Sequence, residues 1–206
     1  ISPQPAGNNY CMEISPEQFE LFRKKMHSFH VVPGASFQSV AECLRVKKYN
    51  KGEVILREGE VCRGFWYIVS GCIRSFTLED GHEINLSFYF DDQIASDFFS
   101  VRMEKPSQYF FIAMEDCETL YFSKADTAQL FFRDSNLTHL AVRFYQEKFF
   151  NEKFHSNSFK LMNPEERYQY LLGNQPHYLQ RIPLTHLASY LGMSRETLTR
   201  IRKKIS

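Results

Sequence analysis

The sequence predicts an α+β fold: helices at the N-terminus, an antiparallel β jelly roll, a long helix, and a C-terminal helix-turn-helix. Three observations predict it. Between Arg45 and Ser123, short β-rich runs alternate with glycine turns, the pattern of a sandwich or jelly roll. From about Asn136 to Leu161 there is no Gly or Pro, so one helix of about 26 residues, about 39 Å long, can form. The segment Leu184–Ile205 reads as helix, glycine corner, helix.

Taken in order, residues 1–13 form a lead-in. Ser15-Pro16-Glu17-Gln18 starts a helix: Ser caps, Pro occupies the first turn, and Gln three residues on completes a capping box. Phe19, Phe22 and Met26 share one face, and a second helix is expected over Ser36–Leu44. The expected strands are Val54–Leu56, Phe65–Val69, Cys72–Thr77, Glu83–Phe90, Tyr109–Ala113 and Glu118–Phe122. Asp80-Gly81 is a hairpin turn, since Gly accepts positive φ without steric cost. Along the long helix Leu137, Leu140 and Phe144 begin an apolar stripe, and Phe149, Phe150 and Phe154 crowd several faces. Such a helix can serve as core and can also pair with a copy of itself. Asn163-Pro164-Glu165-Glu166 caps the next helix and puts acids at its positive end. The expected division is 1–134 for the helices and jelly roll, 135–162 for the long helix, and 163–206 for the helix-turn-helix unit.

Composition narrows the function. Hydrophobic residues make up 43% of 206 residues, enough for a buried core rather than a disordered chain. The longest apolar runs, Phe65–Val69 and Tyr109–Met114, fall short of the roughly 18 residues that span a bilayer. No membrane partner is expected, and no secretory signal is apparent. Ile1 is not an initiator Met, so residues are expected upstream. Cys11, Cys43, Cys62, Cys72 and Cys117 form no Cys-x-x-Cys pair. They read as free thiols of a reducing cytoplasm, without metal or cofactor. The net charge of +1 is unevenly spread: from Arg181 to Ser206, six Lys or Arg oppose only Glu196, a net of +5 that leaves −4 on the rest. A basic terminal unit on a mildly acidic body fits a nucleic-acid partner.

In the terminal segment, the first helix carries Leu187, Ala188 and Leu191 on one side, and Gly192 makes the corner. Ser194 caps the second helix, whose Leu198 and Ile201 return to the core. Arg195, Glu196, Thr199 and Arg200 are left facing outward at its N-terminal end. Arg can donate twice to guanine and Glu can accept from cytosine. Thr185, Ser194, Thr197 and Lys203 complete the expected DNA contacts, chiefly to phosphates.

Ser194-Arg195-Glu196-Thr197-Leu198-Thr199-Arg200 resembles the recognition helix of the CRP/FNR (cyclic AMP receptor protein) regulators. Lys51-Gly52-Glu53, Glu58-Gly59, Tyr67-Ile68-Val69-Ser70-Gly71 and Asp80-Gly81 resemble the turns of that family's cyclic-nucleotide-binding jelly roll, in order. The resemblance runs from about Arg45 to Ser206. It implies a homodimer paired through the long helix, double-stranded DNA as partner, and Arg195, Glu196 and Arg200 as base readers. Two features depart from it. Members that bind cyclic AMP carry Phe-Gly-Glu-Leu and then Pro-Arg-Ser/Thr, the Glu for the ribose and the Arg for the cyclic phosphate. Here the regions read Ile94-Ala95-Ser96-Asp97-Phe98-Phe99 and Lys105-Pro106-Ser107-Gln108-Tyr109. A desolvated phosphate without a cation is unfavourable, so cyclic AMP is not expected to bind in the usual way. By position, Asp97, Phe98, Ser107 and Gln108 are the pocket candidates for an unidentified small-molecule effector. Family members also continue into a β-hairpin wing, which the chain, ending at Ser206, would lack unless it is truncated. Two other functions fit less well. A ligand-binding module without DNA function would leave the terminal motif unexplained. A jelly-roll enzyme would need a metal triad, and His82 is the only His within Arg45–Ser123.

Overall fold

The computed structural model describes residues 13–205, and of residues 151–158 only the backbone. Cys11, Ser206 and the side chain of Phe154 therefore lie outside what is described. Two helices come first, α1 (Pro16–Phe29) and α2 (Gly34–Ala41). Ser15 and Gln18 form the expected capping box on α1. The second helix begins two residues earlier than expected and stops at Ala41, since Pro33 takes the N-cap position.

Eight strands follow: β1 (Arg45–Tyr49), β2 (Val54–Leu56), β3 (Gly64–Ser70), β4 (Ile73–Glu79), β5 (His82–Tyr89), β6 (Ile94–Ala95), β7 (Phe110–Ala113) and β8 (Cys117–Ser123). A short helix, α3 (Phe98–Met103), interrupts them before β7. The strands form two four-stranded sheets, ordered β1-β8-β3-β6 and β2-β7-β4-β5, and every pairing is antiparallel. Asp80 and Gly81 both take positive φ in the β4–β5 hairpin, as the mirror-image turn requires. All six expected strands form, Val54–Leu56 with the expected ends and the others with ends shifted by at most two residues. His82, just after the Asp80-Gly81 turn, opens β5. Between the sheets the space is packed with rings: Trp66 of one sheet stacks on Phe111 of the other at 6.4 Å, and Tyr89 on Phe111 at 6.0 Å. Trp66 donates its indole N–H to the Tyr49 hydroxyl at 2.9 Å, which satisfies the polar atom the burial would otherwise strand.

After the roll come α4 (Lys124–Arg133), α5 (Ser135–Leu161), α6 (Pro164–Asn174), α7 (His177–Arg181), α8 (Leu184–Tyr190) and α9 (Arg195–Ile205). The long helix is continuous over 27 residues. Its first half packs on the roll: Leu137, Leu140 and Phe144 are buried in the main core with Phe22, Phe65 and Phe122. Further along, Val142, Tyr145, Phe149 and Phe150 are exposed. A second core joins α6–α9 to the outer side of the roll. It gathers Tyr168, Leu171, Tyr178, Leu187, Leu191, Leu198 and Ile201 with Cys72, Phe88 and Phe90. No helix among the described residues is long and apolar enough to cross a membrane.

Candidate nucleic-acid interface

The helix-turn-helix is assembled by local rules. Ala188 is 2% exposed where α8 crosses α9, and its small side chain lets the helices approach. Gly192 sits at φ +64°, a left-handed conformation that costs an L side chain about 1–2 kcal/mol. A Cβ there would also stand 2.9 Å from Arg167 Nη1. The corner closes with Gly192 N–H donating to the Ser189 carbonyl and Met193 N–H to the Ala188 carbonyl, both at 3.0 Å. Met193 packs, half-buried, against the second core. Ser194 caps α9 by accepting the Thr197 N–H at 3.1 Å.

Arg167 holds this corner, and sequence reasoning missed it. From α6 its Nη1 donates to the Leu191 carbonyl at 3.0 Å, and its Nε to the carbonyls of Met162 and Phe159 at 3.1 and 3.2 Å. It therefore ties the end of α5 to the turn. The signal in sequence was a lone Arg in a helix, which says nothing about its partners.

Leu198 and Ile201 face inward, 0% and 7% exposed. Arg195, Glu196, Thr199, Arg200 and Lys203 together line one surface concavity on the opposite side of α9. Arg195, Glu196, Arg200 and Lys203 are exposed, and Thr199 is half-buried. The Thr199 hydroxyl is turned back to the Arg195 carbonyl at 2.8 Å, so as placed it is a spacer rather than an outward donor. Glu196 is held below the usual carboxylate range by hydrogen bonds from its own amide and from the Ser194 hydroxyl; it is an acceptor at neutral pH. Thr185, Ser194 and Thr197 lie outside this concavity. Thr185 is exposed on the first turn of α8, and Thr197, half-buried, borders an adjoining hollow with Arg200 and Lys204. Not all of the basic terminal charge faces outward: Lys204 pairs with Glu165 at 2.8 Å, and Arg181 is turned onto acids of the roll. The count of six basic residues thus overstates the charge available to a polyanion.

The four pocket candidates part company. Asp97, 5% exposed, caps α3 by accepting the Ser100 N–H at 3.0 Å, and its other oxygen accepts the Ser107 hydroxyl at 2.7 Å. Ser107 is clamped as well by the β2–β3 loop: its N–H donates to the Glu60 carbonyl and its carbonyl accepts the Gly59 N–H, both at 2.8 Å. Phe98 turns to the helices and packs on Phe65, Phe144 and Tyr145 at 5.7–6.1 Å. Gln108 is exposed. Asp97 and Ser107 are brought together, and the other two point elsewhere. No Lys, Arg or His lies within ion-pair distance of Asp97 among the described residues. A cyclic phosphate does not fit this arrangement. The Ser107 hydroxyl is already engaged by the Asp97 carboxyl and the Tyr109 carbonyl, and with no cation paired to Asp97 a desolvated phosphate would go uncompensated. Among the described residues no group of three His, Cys, Asp or Glu could hold a metal ion.

Residues 46–134 match the family model of the cyclic nucleotide-binding domain. A comparison with curated protein sequences gives no match. Among solved structures, the catabolite activator protein of Thermus thermophilus is 20% identical with a TM-score of 0.55, over 88% of this chain and 86% of that one. FixK2 from Bradyrhizobium japonicum is 17% identical with a TM-score of 0.65, over 79% and 84%. The c-di-GMP responsive global regulator CLP of Xanthomonas campestris is 17% identical with a TM-score of 0.63, over 84% and 91%. In fold, residues 46–134 are a jelly roll of the cyclic nucleotide-binding type, and its joining by a long helix to a C-terminal helix-turn-helix is an arrangement similar to that of these three proteins.

Proposed function

We propose that the chain is a dimeric, sequence-specific DNA-binding transcription regulator, with a sensory roll that does not bind cyclic AMP in the usual way. The observation that carries this reading is the sorted surface of α9. Its apolar side is buried, and Arg195, Glu196, Arg200 and Lys203 share the outer side. The N-terminal residues of such a second helix are those that reach base edges in the major groove. Arg195, Glu196 and Arg200 are the base readers. Thr185, Ser194, Thr197 and Lys203 complete the contact set, Lys203 with phosphate charge, and Thr199, its hydroxyl bonded to the Arg195 carbonyl, spaces the readers along the helix.

The second copy pairs through α5. Val142, Tyr145 and Phe149 are 48%, 39% and 65% exposed at spacings of three and four, a stripe that a copy of the same helix would cover. Residues 1–134, 135–162 and 163–206 then serve as sensor, dimer helix and reading head. A role in regulation rather than catalysis fits the family match of the roll and the character of this surface. No effector is assigned.

The test is selection of duplexes from a random pool by the purified chain. The expected product is a palindrome with half-sites about one helical turn, roughly 34 Å, apart. A pool that shows no enriched sequence at low salt would overturn the reading.

A further inference from the structure

One side chain fastens the reading head to the roll. Arg181 is the last residue of α7, and two residues separate it from α8. Its Nη1 donates to Asp91; its Nη2 donates to Glu115 Oε2 at 2.7 Å and to the Gly71 carbonyl at 3.0 Å; its Nε donates to Glu115 Oε1 at 3.2 Å. The guanidinium also sits 4.9 Å from the centre of the Phe90 ring. Gly71 lies between β3 and β4, Asp91 follows β5, and Glu115 lies between β7 and β8. Three separate turns of the roll thus converge on one planar fork. Asp91 is itself fixed by accepting the Gly71 N–H at 2.8 Å. Only Arg offers donors in this geometry.

A second set of bonds covers the free edge of the sheet. Strand β5 is the last in its sheet, and an edge strand presents unpaired backbone groups. Ser189 of α8 accepts the Asn85 N–H and donates to the Glu83 carbonyl, both at 3.0 Å, while the Tyr178 hydroxyl donates to the Phe88 carbonyl at 3.1 Å. Beneath them Arg74, 7% exposed, bridges Asn85 at 2.8 Å and Glu83 at 2.7 Å. Helix α8 is bound along this edge, and α9, the next helix, keeps its Arg195–Lys203 side in solvent.

We propose that the roll acts as a jig for DNA reading, with Arg181 the positioning residue that holds α9 in a fixed orientation relative to α5. The proposal rests on the DNA-reading function argued above. In a dimer paired along α5, the separation of two recognition helices is set by everything rigid between them. Releasing Arg181 lets each head rotate, and that freedom must be lost again on binding a site of fixed spacing.

The test compares the whole chain with its Arg181→Ala and Glu115→Gln variants in two measurements. In amide hydrogen exchange, the Asn85 N–H should exchange at least about tenfold faster in Arg181→Ala, with the β3–β8 ladder unchanged. In titrations of the selected duplex, the same variant should bind about tenfold more weakly, with parental active fraction and parental salt dependence. Should Arg181→Ala fail to fold, Glu115→Gln is expected to show both effects in milder form. An unchanged Asn85 exchange rate overturns the proposal whatever the DNA result. So does unchanged or tighter DNA binding. So does a salt slope lower by about one, which would make Arg181 a phosphate ligand. If the parent chain selects no duplex while Asn85 still loosens in the variant, the reading function falls and only the fastening survives.

Discussion

Arg195 and Arg200 are exposed on the same side of one helix, yet each is expected to answer for a different base. Replacing either by Ala removes a bidentate donor, expected to cost about 1–3 kcal/mol in specific binding and to relax selectivity at one position. Competition titrations with single-base variants of the selected site measure both. Lys203→Ala should instead weaken all sequences alike and lower the salt slope by about one. Asp97 makes a different kind of prediction. Its carboxyl satisfies the buried Ser100 amide and the Ser107 hydroxyl, so Asp97→Ala orphans the Ser100 N–H and leaves Ser107 only the Tyr109 carbonyl as acceptor. The expected loss is about 1–3 kcal/mol of folding stability, read by urea denaturation. The sequence offered Asp97 and Ser107, with Phe98 and Gln108, as pocket candidates by position alone. It could not say that they bond each other, because the nine residues between them fold through α3 to bring them together.

Helix α5 presents two kinds of apolar residue along its length. Leu137, Leu140 and Phe144 belong to the core of the roll, and Val142, Tyr145 and Phe149 do not. Phe149→Glu is expected to leave the roll folded and shift the chain to monomer, as sedimentation would report; a variant that stays dimeric would place the pairing elsewhere. At this scale the sequence was legible where periodicity or capping was strong. The capping box at Ser15 and the N-cap at Asn163 formed as read, the latter also closing a capping box with Glu166, and the six expected strands appeared. Strand β1 was not anticipated. It is an edge strand whose Lys47 and Lys48 leave only Val46 buried, and charges on an edge erase the apolar alternation that marks a strand. The two-residue β6, the six-residue α3 and the five-residue α7 were missed for a related reason. Elements that short are made by their surroundings rather than by propensity.

The junction between the roll and the last four helices should respond to pH. His177 is pulled below the ordinary histidine value of 6.5 by burial and then by Arg181, with Asp91 opposing. His186 is lowered by burial and then by Arg74, with Glu83 opposing. The His177 Nε2 is buried without a partner, and its ring meets Phe90 edge-on at 4.8 Å. Both rings are therefore held neutral in the docked arrangement. Well above pH 6.5 neither state takes up a proton and docking is unaffected. As pH falls through 6.5, the separated state binds protons that the docked one refuses, and the junction weakens until the lowered values are passed. A thermal denaturation series from pH 7.5 to about 5 is expected to show this loss, and a His177→Gln, His186→Gln double variant to flatten it.

What the sequence determined by itself is what local rules carry: the alternation of glycine turns and β runs, the uninterrupted length of α5, and the corner at Gly192 with polar and apolar residues sorted around α9. Each depends on neighbours within about one or two helical turns, where φ preference, capping and periodicity act. The tertiary structure decided the rest. It turned Arg181 from a basic residue of the terminal unit into a clamp on the roll, set Arg167 behind the turn, and closed Asp97 onto Ser107. Those partners are 10 to 110 residues apart in the chain. An Arg or Asp carries the same charge wherever it stands, and only the folded geometry settles which acceptor, donor or solvent that charge will meet.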